Sequence, residues 1–346
     1  MSNLWLDGFA AYATNTQAIR IPELLNCNIG SAGGVTGRRG GKALYLSAYT
    51  KYYCIDLQNT PADNTMIFLG FAVKPSNLSN FYYNTSYPWI QISDGAGNNH
   101  FYVTLKHGTR IYEVRDSAWT VLGTGTIPIS NVWMYFELKA TIHDTTGIIQ
   151  TRINKTVDID LTGQDTKNGS NGYVGFIKIR AFCDVTPCYM DDLYLNNDQG
   201  SENNDYSGDI RIDELRPNGA GAHTDFTPSA GANYQNVDED APDDDTTYNY
   251  GNTIGNQDTY ALQSLEVLGS DILAVKNQIT LRKDDAGTRK AKIISRLNGT
   301  DYLGDELTLS DSYLTFVKIY ELNPDDSAAF EEADIAGMES GVEITA

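Results

Sequence analysis

Residues 89–100 combine the side-chain types with which proteins bind sugars: an aromatic ring that stacks on the sugar, and polar groups that hydrogen-bond its hydroxyls. The residues that could do this are Trp89, Asp94, Asn98, Asn99 and His100. Ordinary turn chemistry explains the same residues, because Asp-Gly and Asn-Asn pairs are typical of a hairpin tip. The stretch is therefore predicted to be either a carbohydrate-binding loop or a plain hairpin.

Two groups of acids could bind a cation. They are Asp191 and Asp192, and Asp243, Asp244 and Asp245. In a strand, Asp191 or Asp192 must point inward and either accept hydrogen bonds from amides or bind a cation. Residues 243–245 offer the loop oxygens that Ca²⁺ prefers, but the D-x-D-x-D-G pattern with its distal Glu is absent. Calcium is thus the one cofactor that the sequence suggests, with hydrogen-bonded or solvated acids as the alternative.

Sequence motifs of common catalytic sites are absent. The glycine-rich segment 30–42 fails as a phosphate-binding loop, because Thr36 and Ala43 occupy two of the required positions. No G-x-S-x-G motif is present, and Glu332 and Asp334 lack the third acid of a β-glucanase strand. The sequence therefore predicts a protein that is not an enzyme, with carboxylates that meet only in the folded chain as the open alternative.

Acidic residues dominate the composition, since 45 Asp and Glu against 25 Lys and Arg give a net charge of −20. Binding to nucleic acid needs clustered cations, so nucleic acid is excluded as a partner. No apolar run near the start resembles a signal peptide, and none approaches the roughly 20 residues that span a bilayer. We expect synthesis in the cytoplasm and no membrane insertion.

The four cysteines, at positions 27, 54, 183 and 188, are too few for a disulfide framework in a chain of 346 residues. Cys183 and Cys188 could face each other across a hairpin, and their spacing leaves open whether the pair is reduced. No histidine stands at a zinc-ligand spacing from them.

Alternation of apolar and polar residues with period two dominates the chain and predicts strands. Predicted strands include Lys42–Leu46, 66–73, 132–143 and Lys290–Leu297. No helix-length periodic segment separates them, so the fold is predicted to be all-β, an antiparallel sandwich or jelly roll.

Three regions differ in composition. Residues 1–197 are predicted to form the jelly roll, and 198–260 an acidic, loop-rich arm with one short strand at 209–215. Positions 201–260 hold 13 of the 45 acids, which sets this arm apart from both neighbours. Residues 261–346 return to strand patterns, including 265–268, and form a C-terminal β-rich domain with a short terminal helix.

One predicted strand has two distinct faces. Trp133, Tyr135, Glu137 and Lys139 share one face, while the residues between them are apolar. The apolar face covers the core, and the other face could be a binding surface or simply a solvated one.

Several short motifs resemble the concanavalin A-like, laminin-G-like jelly roll. They are WLDGF at 5–9, GGKALYL at 40–46, the strands at 133–140 and 147–154, and MDDLYL at 190–195. Further motifs at 208–217, 236–248, 321–324 and 341–344 resemble tailed-bacteriophage virion proteins that carry such a domain. The resemblance implies a structural or adhesive role on the tail, neck or capsid surface, and it carries over no catalytic residue.

The leading hypothesis is accordingly a bacteriophage virion structural protein without enzymatic activity. Its partners would be other virion proteins and further copies of the chain, since virion proteins assemble symmetrically. The alternative is a carbohydrate-binding protein that recognises a bacterial surface glycan, and a third hypothesis is a glycan depolymerase.

Overall fold

The computed structural model describes residues 3–9, 20–21, 24, 32–48, 50–58, 64–76, 88–106, 108–182, 187–240 and 242–346. The chain is nearly all β-structure in these ranges, which confirms the predicted fold class. It divides into two compact units, of which the first ends at Ile212 and the second runs from Asp213 to Ala346 together with Arg20 and Ile21. This boundary differs from the predicted ones, because the residues of the predicted arm are shared between the two units.

Fourteen strands are described in the first unit. They are β1 (Asn3–Asp7), β2 (Ala32–Thr36), β3 (Lys42–Leu46), β4 (Tyr52–Asp56), β5 (Met66–Pro75), β6 (Ile90–Ser93), β7 (Asn99–Leu105), β8 (Tyr112–Asp116), β9 (Val121–Thr124), β10 (Met134–Thr141), β11 (Gly147–Ile153), β12 (Thr156–Gln164), β13 (Phe176–Arg180) and β14 (Cys188–Asn197). The first sheet has the order β12–β11–β10–β5–β14–β3–β2, with β1 also paired to β14, and the second has the order β4–β13–β6–β7–β8–β9.

The two sheets pack face to face around an aromatic core. Trp89, just before β6, contacts Phe136 of β10 and Phe71 of β5, with ring centroids 4.8 and 5.9 Å apart. Tyr112 of β8 shares a hydrogen bond of 2.7 Å with the hydroxyl of Thr151 on β11. These contacts between the layers define a jelly-roll β-sandwich.

The outer face of the first sheet is covered by the chain's own residues 205–212. The Tyr206 hydroxyl donates to the Gln150 carbonyl at 3.1 Å, and the Gly208 N–H donates to the Glu137 carboxylate at 3.1 Å. Glu137 is consequently only 1% exposed. At Tyr135 and Glu137 this face is therefore buried, while Trp133 and Lys139 on the same face stay partly exposed.

The second unit contains shorter strands and one α-helix among its described residues. They are β15 (Pro217–Thr224), β16 (Thr227–Pro228), β17 (Asn249–Tyr250), β18 (Gln257–Leu262), β19 (Val275–Leu281), β20 (Lys290–Leu297), β21 (Thr300–Leu303), β22 (Leu307–Thr308), β23 (Leu314–Tyr320), α1 (Glu332–Ala336) and β24 (Glu339–Ile344), with a 3-10 helix at Asn233–Asn236. The main sheet has the order β15–β18–β24–β20–β21, with β22 also paired to β20. The helix residue Ile335 packs with Leu297, Phe330 and Met338 in a small core.

Some strand predictions fail for reasons of pairing. β15 reads PNGAGAHT, whose small residues have weak strand preference, yet it forms because it pairs with β18. The predicted strands at 209–215 and 265–268 have no ladder partner and are not strands.

Part of the cysteine and loop predictions lies outside the described residues, namely Cys27, Cys183 and residues 30–31 of the glycine-rich segment. Cys188 is buried in β14, where its Sγ donates to the Arg180 carbonyl at 3.8 Å. Within the glycine-rich segment, Ala32–Thr36 form β2. No helix in the part of the chain that the structure describes is long and apolar enough to cross a membrane.

Candidate functional site

Trp89 belongs to the core of the first unit and is not open to a ligand. Its side chain is 1% exposed, and its ring also packs against Phe182, with centroids 4.8 Å apart. Strand alternation would place Trp89 on the outer face with Gln91, but β6 begins only at Ile90, so the alternation does not reach Trp89. The predicted role of Trp89 as a sugar-stacking ring is therefore corrected.

Asp94 and Asn98 build the hairpin between β6 and β7. Asp94 accepts hydrogen bonds of 2.7–3.0 Å from the N–H groups of Ala96 and Asn98 and from the side-chain amides of Asn98 and Asn171. Burial alone would raise the pKa of Asp94, but these hydrogen bonds outweigh it and lower the pKa. Turn chemistry therefore accounts for both residues.

His100 ties β7 to the segment before β13. Its Nδ1 accepts from the N–H of Asn168 at 3.1 Å, so its Nε2 carries the proton and donates to the Tyr173 carbonyl at 2.9 Å. Burial lowers the pKa of His100, which favours this neutral ring. Asn99 accepts from the Gln91 side chain at 2.5 Å. Both predicted sugar ligands thus have structural partners.

Asp191 and Asp192 accept hydrogen bonds from backbone amides. Asp191 accepts from the N–H groups of Arg38 and Asp192 at 2.7 and 2.9 Å, and Asp192 accepts from Ile212 at 2.9 Å. The Arg38 guanidinium also lies 3.7 Å from Asp192. No group of three or more His, Cys, Asp or Glu in the described ranges is placed to hold a metal ion. Of the two alternatives for this pair, the geometry favours hydrogen bonding.

Burial and the neighbouring Asp192 charge raise the pKa of Asp191 from 3.8 to about 7. Between these values the folded chain holds a proton that the unfolded chain lacks, so folding stability should rise as the pH falls from about 7 to 4. Relative to Asp191→Asn, we expect the wild type to gain up to ~1.4 kcal/mol per pH unit across this window, measured by urea unfolding.

Asp198→Asn removes an exposed acid of the same unit and is the control for lost charge. Its difference from the wild type should stay constant between pH 8 and 5. If the difference in unfolding free energy between the wild type and Asp191→Asn is likewise independent of pH, the raised pKa of Asp191 is contradicted.

The three acids at 243–245 point to three different partners. Asp243 accepts from the Thr247 hydroxyl at 2.9 Å, and Asp244 forms a bidentate pair with Arg20 at 2.6 and 2.7 Å. Asp245 accepts from Arg282 at 2.7 Å and from a tyrosine hydroxyl at 2.9 Å. These carboxylates therefore do not converge on a common cation position, and the predicted calcium loop lacks geometric support.

The outer face of the second sheet carries a different set of side chains. Outward positions alternate with core residues on β4, β13, β6, β7 and β8, and cross-strand pairing sets them in one row: Cys54, Lys178, Gln91, Tyr102 and Arg115. Cys54 is only 1% exposed, so the part of the row that a ligand can reach runs from Lys178 to Arg115. At about 4.8 Å between strands, this part spans about 14 Å. Such a length suits an oligomeric ligand better than a single small molecule.

Trp119 forms an aromatic platform at one end of the row. Its ring stacks on Tyr102 with centroids 4.6 Å apart and an angle of 15°. The Arg115 guanidinium fixes the turn by donating to the Trp119 carbonyl at 2.7 Å, while its other nitrogen donates to Glu113 at 2.7 Å. Trp119 has φ 68°, a left-handed conformation that costs a bulky residue about 1–2 kcal/mol. Such local strain is common at binding sites.

Two cations lie beside an aromatic ring toward the other end of the row. The Lys178 ammonium and the Arg180 guanidinium each lie 5.4 Å from the centroid of the Tyr52 ring. Burial raises the pKa of the neighbouring Cys54 thiol to about 12, although Lys178 and Arg180 act to lower it. Cys54 therefore stays a neutral thiol at physiological pH and is a poor nucleophile.

Tyr102, Trp119 and Lys178 were not among the binding residues predicted from the sequence. A signal existed for Lys178, because the apolar residues Ile177 and Ile179 on either side of it must face the core. The sequence predicts a strand from Trp119 to Leu122, but the strand β9 begins only at Val121, so Trp119 lies in the turn before it.

No protein-family model and no curated protein sequence matches the chain. Solved structures do resemble it. Alginate lyase Aly36B is 13% identical with a TM-score of 0.37, over 57% of this chain and 98% of the lyase. Trypanosoma rangeli sialidase is 12% identical with a TM-score of 0.35, over 50% of this chain and 27% of the sialidase. The exoplasmic domain of VIP36, bound to Ca²⁺ and Man3GlcNAc, is 13% identical with a TM-score of 0.32, over 49% and 82%.

The pairing of the two described sheets defines the first unit as a β-sandwich of the jelly-roll class. The compared structures are of glycan-active or glycan-binding proteins. The prediction that the chain is not an enzyme is corrected. A lyase and a sialidase stand among these structures, so enzymatic activity is not excluded.

Proposed function

We propose that the first unit binds carbohydrate on the outer face of its second sheet. The observation that carries the proposal is the platform of Trp119 stacked on Tyr102, which forms although the backbone conformation of Trp119 is unfavourable. Aromatic faces pack against the apolar faces of sugar rings, and neighbouring polar groups then fix the orientation. Gln91 supplies such a group in the same row.

The choice of face follows from what covers the other sheet. Residues 205–212 occupy the outer face of the first sheet, where Phe68, Tyr135 and Tyr194 form a buried cluster with Tyr206 packed against it. On the second sheet, Gln91, Trp119 and Lys178 are partly exposed. The second sheet therefore offers the surface for a ligand.

Trp119→Ala should weaken glycan binding by about tenfold or more, because aromatic anchors carry a large share of binding energy. Glycan arrays identify a ligand for the full chain, and calorimetry compares the variants. The same incubations, assayed for released reducing ends, report whether the bound glycan is cleaved.

The matched control is Trp133→Ala, which removes the same side chain from the outer face of the first sheet. Its affinity should equal that of the wild type once thermal melting shows that the variant is folded. Equal losses in the two variants, or no glycan bound by the wild type, would overturn the proposal.

We retain as a second proposal that the protein is a component of a bacteriophage virion, with other virion proteins and further copies of the chain as partners and a host surface glycan as target. Its support is the sequence resemblance at 208–248 and 321–344. Mass spectrometry of purified, salt-washed particles should detect the protein at a fixed copy number. Its absence from such particles would overturn this proposal.

A further inference from the structure

We infer that the glycan bound by the outer face of the second sheet is anionic, and that Lys178 contacts its carboxylate or sulfate groups. This inference rests on the proposed function and adds the chemical class of the ligand. Lys178 is the residue that carries it.

Among the residues that the structure describes, Lys178 is a cation without an acidic partner. It lies in the middle of β13 between its cross-strand neighbours Cys54 and Gln91, and it points away from the core. Its ammonium lies over the Tyr52 ring, and the part of the chain that the structure describes places no carboxylate within 4.0 Å of it. An ammonium held on an aromatic ring at a partly exposed position can pair with an incoming anion.

The charges around Lys178 have the sign that an anion needs. In the described ranges, the outward cations of this face are Lys106, Arg115 and Lys178, with Arg180 only 6% exposed, and the outward acids are Asp56 and Glu113. Glu113 is bonded to Arg115 and lies 3.9 Å from the Lys106 ammonium, and Asp56 accepts hydrogen bonds from Gln58. In a chain with a net charge of −20, this locally positive face opposes the overall repulsion of an acidic polymer.

The distance between Lys178 and the aromatic platform suits an oligosaccharide. Lys178 and Tyr102 both pair with Gln91 from opposite sides, so two strand spacings, about 10 Å, separate them. A sugar stacked on Trp119 would leave a neighbouring sugar of the same chain to present its acidic group to Lys178.

The test compares pairs of ligands that share a sugar backbone and differ in one acidic group. Full-length protein is titrated with galacturonate oligosaccharides, with the same oligosaccharides methyl-esterified, and with sulfated and unsulfated galactan oligosaccharides. We expect the acidic form of at least one pair to bind about tenfold more tightly than its neutral form at low salt, as for a charge-assisted hydrogen bond. The pair that shows the preference identifies carboxylate or sulfate as the group recognised.

Lys178→Gln should abolish this preference, and Lys178→Arg should restore most of it because the charge is kept. The control is Lys139→Gln on the outer face of the first sheet, where the ammonium likewise lies over an aromatic ring, 5.2 Å from the centroid of Phe68. Lys139→Gln should leave the preference unchanged.

The outcomes separate the two proposals. If acidic and neutral oligosaccharides bind equally well and Trp119→Ala binds neither, the inference of an anionic ligand is wrong. The proposal that this face binds carbohydrate would then still stand. A charge preference that Lys178→Gln leaves intact would also overturn the inference. No binding of these oligosaccharides and no glycan bound on the array would overturn the proposed function itself.

Discussion

Trp89→Ala is expected to lower the free energy of unfolding of the first unit by about 3–5 kcal/mol, the usual cost of truncating a buried Trp. The side chain is 1% exposed and fills the space between the sheets, touching Phe71, Phe136 and Phe182. Its loss leaves a cavity that these rings cannot close without leaving their own positions. Urea unfolding followed by near-ultraviolet circular dichroism measures the change.

Trp119→Ala is the matched control for this experiment, because it removes the same side chain from a turn. We expect its free energy of unfolding to stay within about 1 kcal/mol of the wild type, since its ring is partly exposed. Trp89→Ala should thus lower the stability of the first unit, whereas Trp119→Ala should lower its affinity for glycan. If Trp89→Ala were as stable as the wild type but no longer bound glycan, the result would contradict the position of Trp89 in the core. It would support the predicted role of Trp89 as a sugar-stacking ring.

Arg38→Gln is expected to cost about 3 kcal/mol of unfolding free energy. The guanidinium forms a bidentate pair with Asp209 at 2.5 and 2.7 Å and lies 3.7 Å from Asp192. Burial would lower the pKa of Arg38, but these carboxylates outweigh it and raise the pKa. Without the Arg38 cation, the carboxylates of Asp192 and Asp209 lose their neutralising partner.

Arg39→Gln is the control, because Arg39 contacts the same Asp209 at 3.1 Å from a position that is 36% exposed, against 14% for Arg38. Exposed ion pairs contribute about 0–1 kcal/mol, so this variant should unfold at nearly the urea concentration of the wild type. Similar losses in both variants would show that the pairing of Arg38 is no stronger than a surface contact.

Strand positions followed well from the sequence where alternation is regular. The bounds of β3 and β20 agree with the predicted Lys42–Leu46 and Lys290–Leu297. On β13, the isoleucines on either side of Lys178 already define which side faces the core. Residues 209–215 carry an equally convincing strand pattern, but their polar groups bond side chains of the first sheet instead of a neighbouring strand.

The roles of the acidic residues were harder to predict from the sequence, because the groups they bind are distant in sequence. Consecutive acids at 243–245 look like one cation site, yet Arg20 and Arg282 neutralise two of them. Asp191 and Asp192 are both buried, and the amides they bind belong to residues 38, 192 and 212.

By itself, the sequence determined the all-β class of this protein, most of its strands and the composition that argues against nucleic-acid binding, because these depend on local periodicity and on summed charge. Only the tertiary structure decided which faces are covered and which tryptophan is buried in the core. Alternation assigns residues to two sides of a strand, but the packing of the second sheet and of residues 205–212 decides which sides are buried. Trp89 entered the core and Trp119 came to lie on the outer face for that reason.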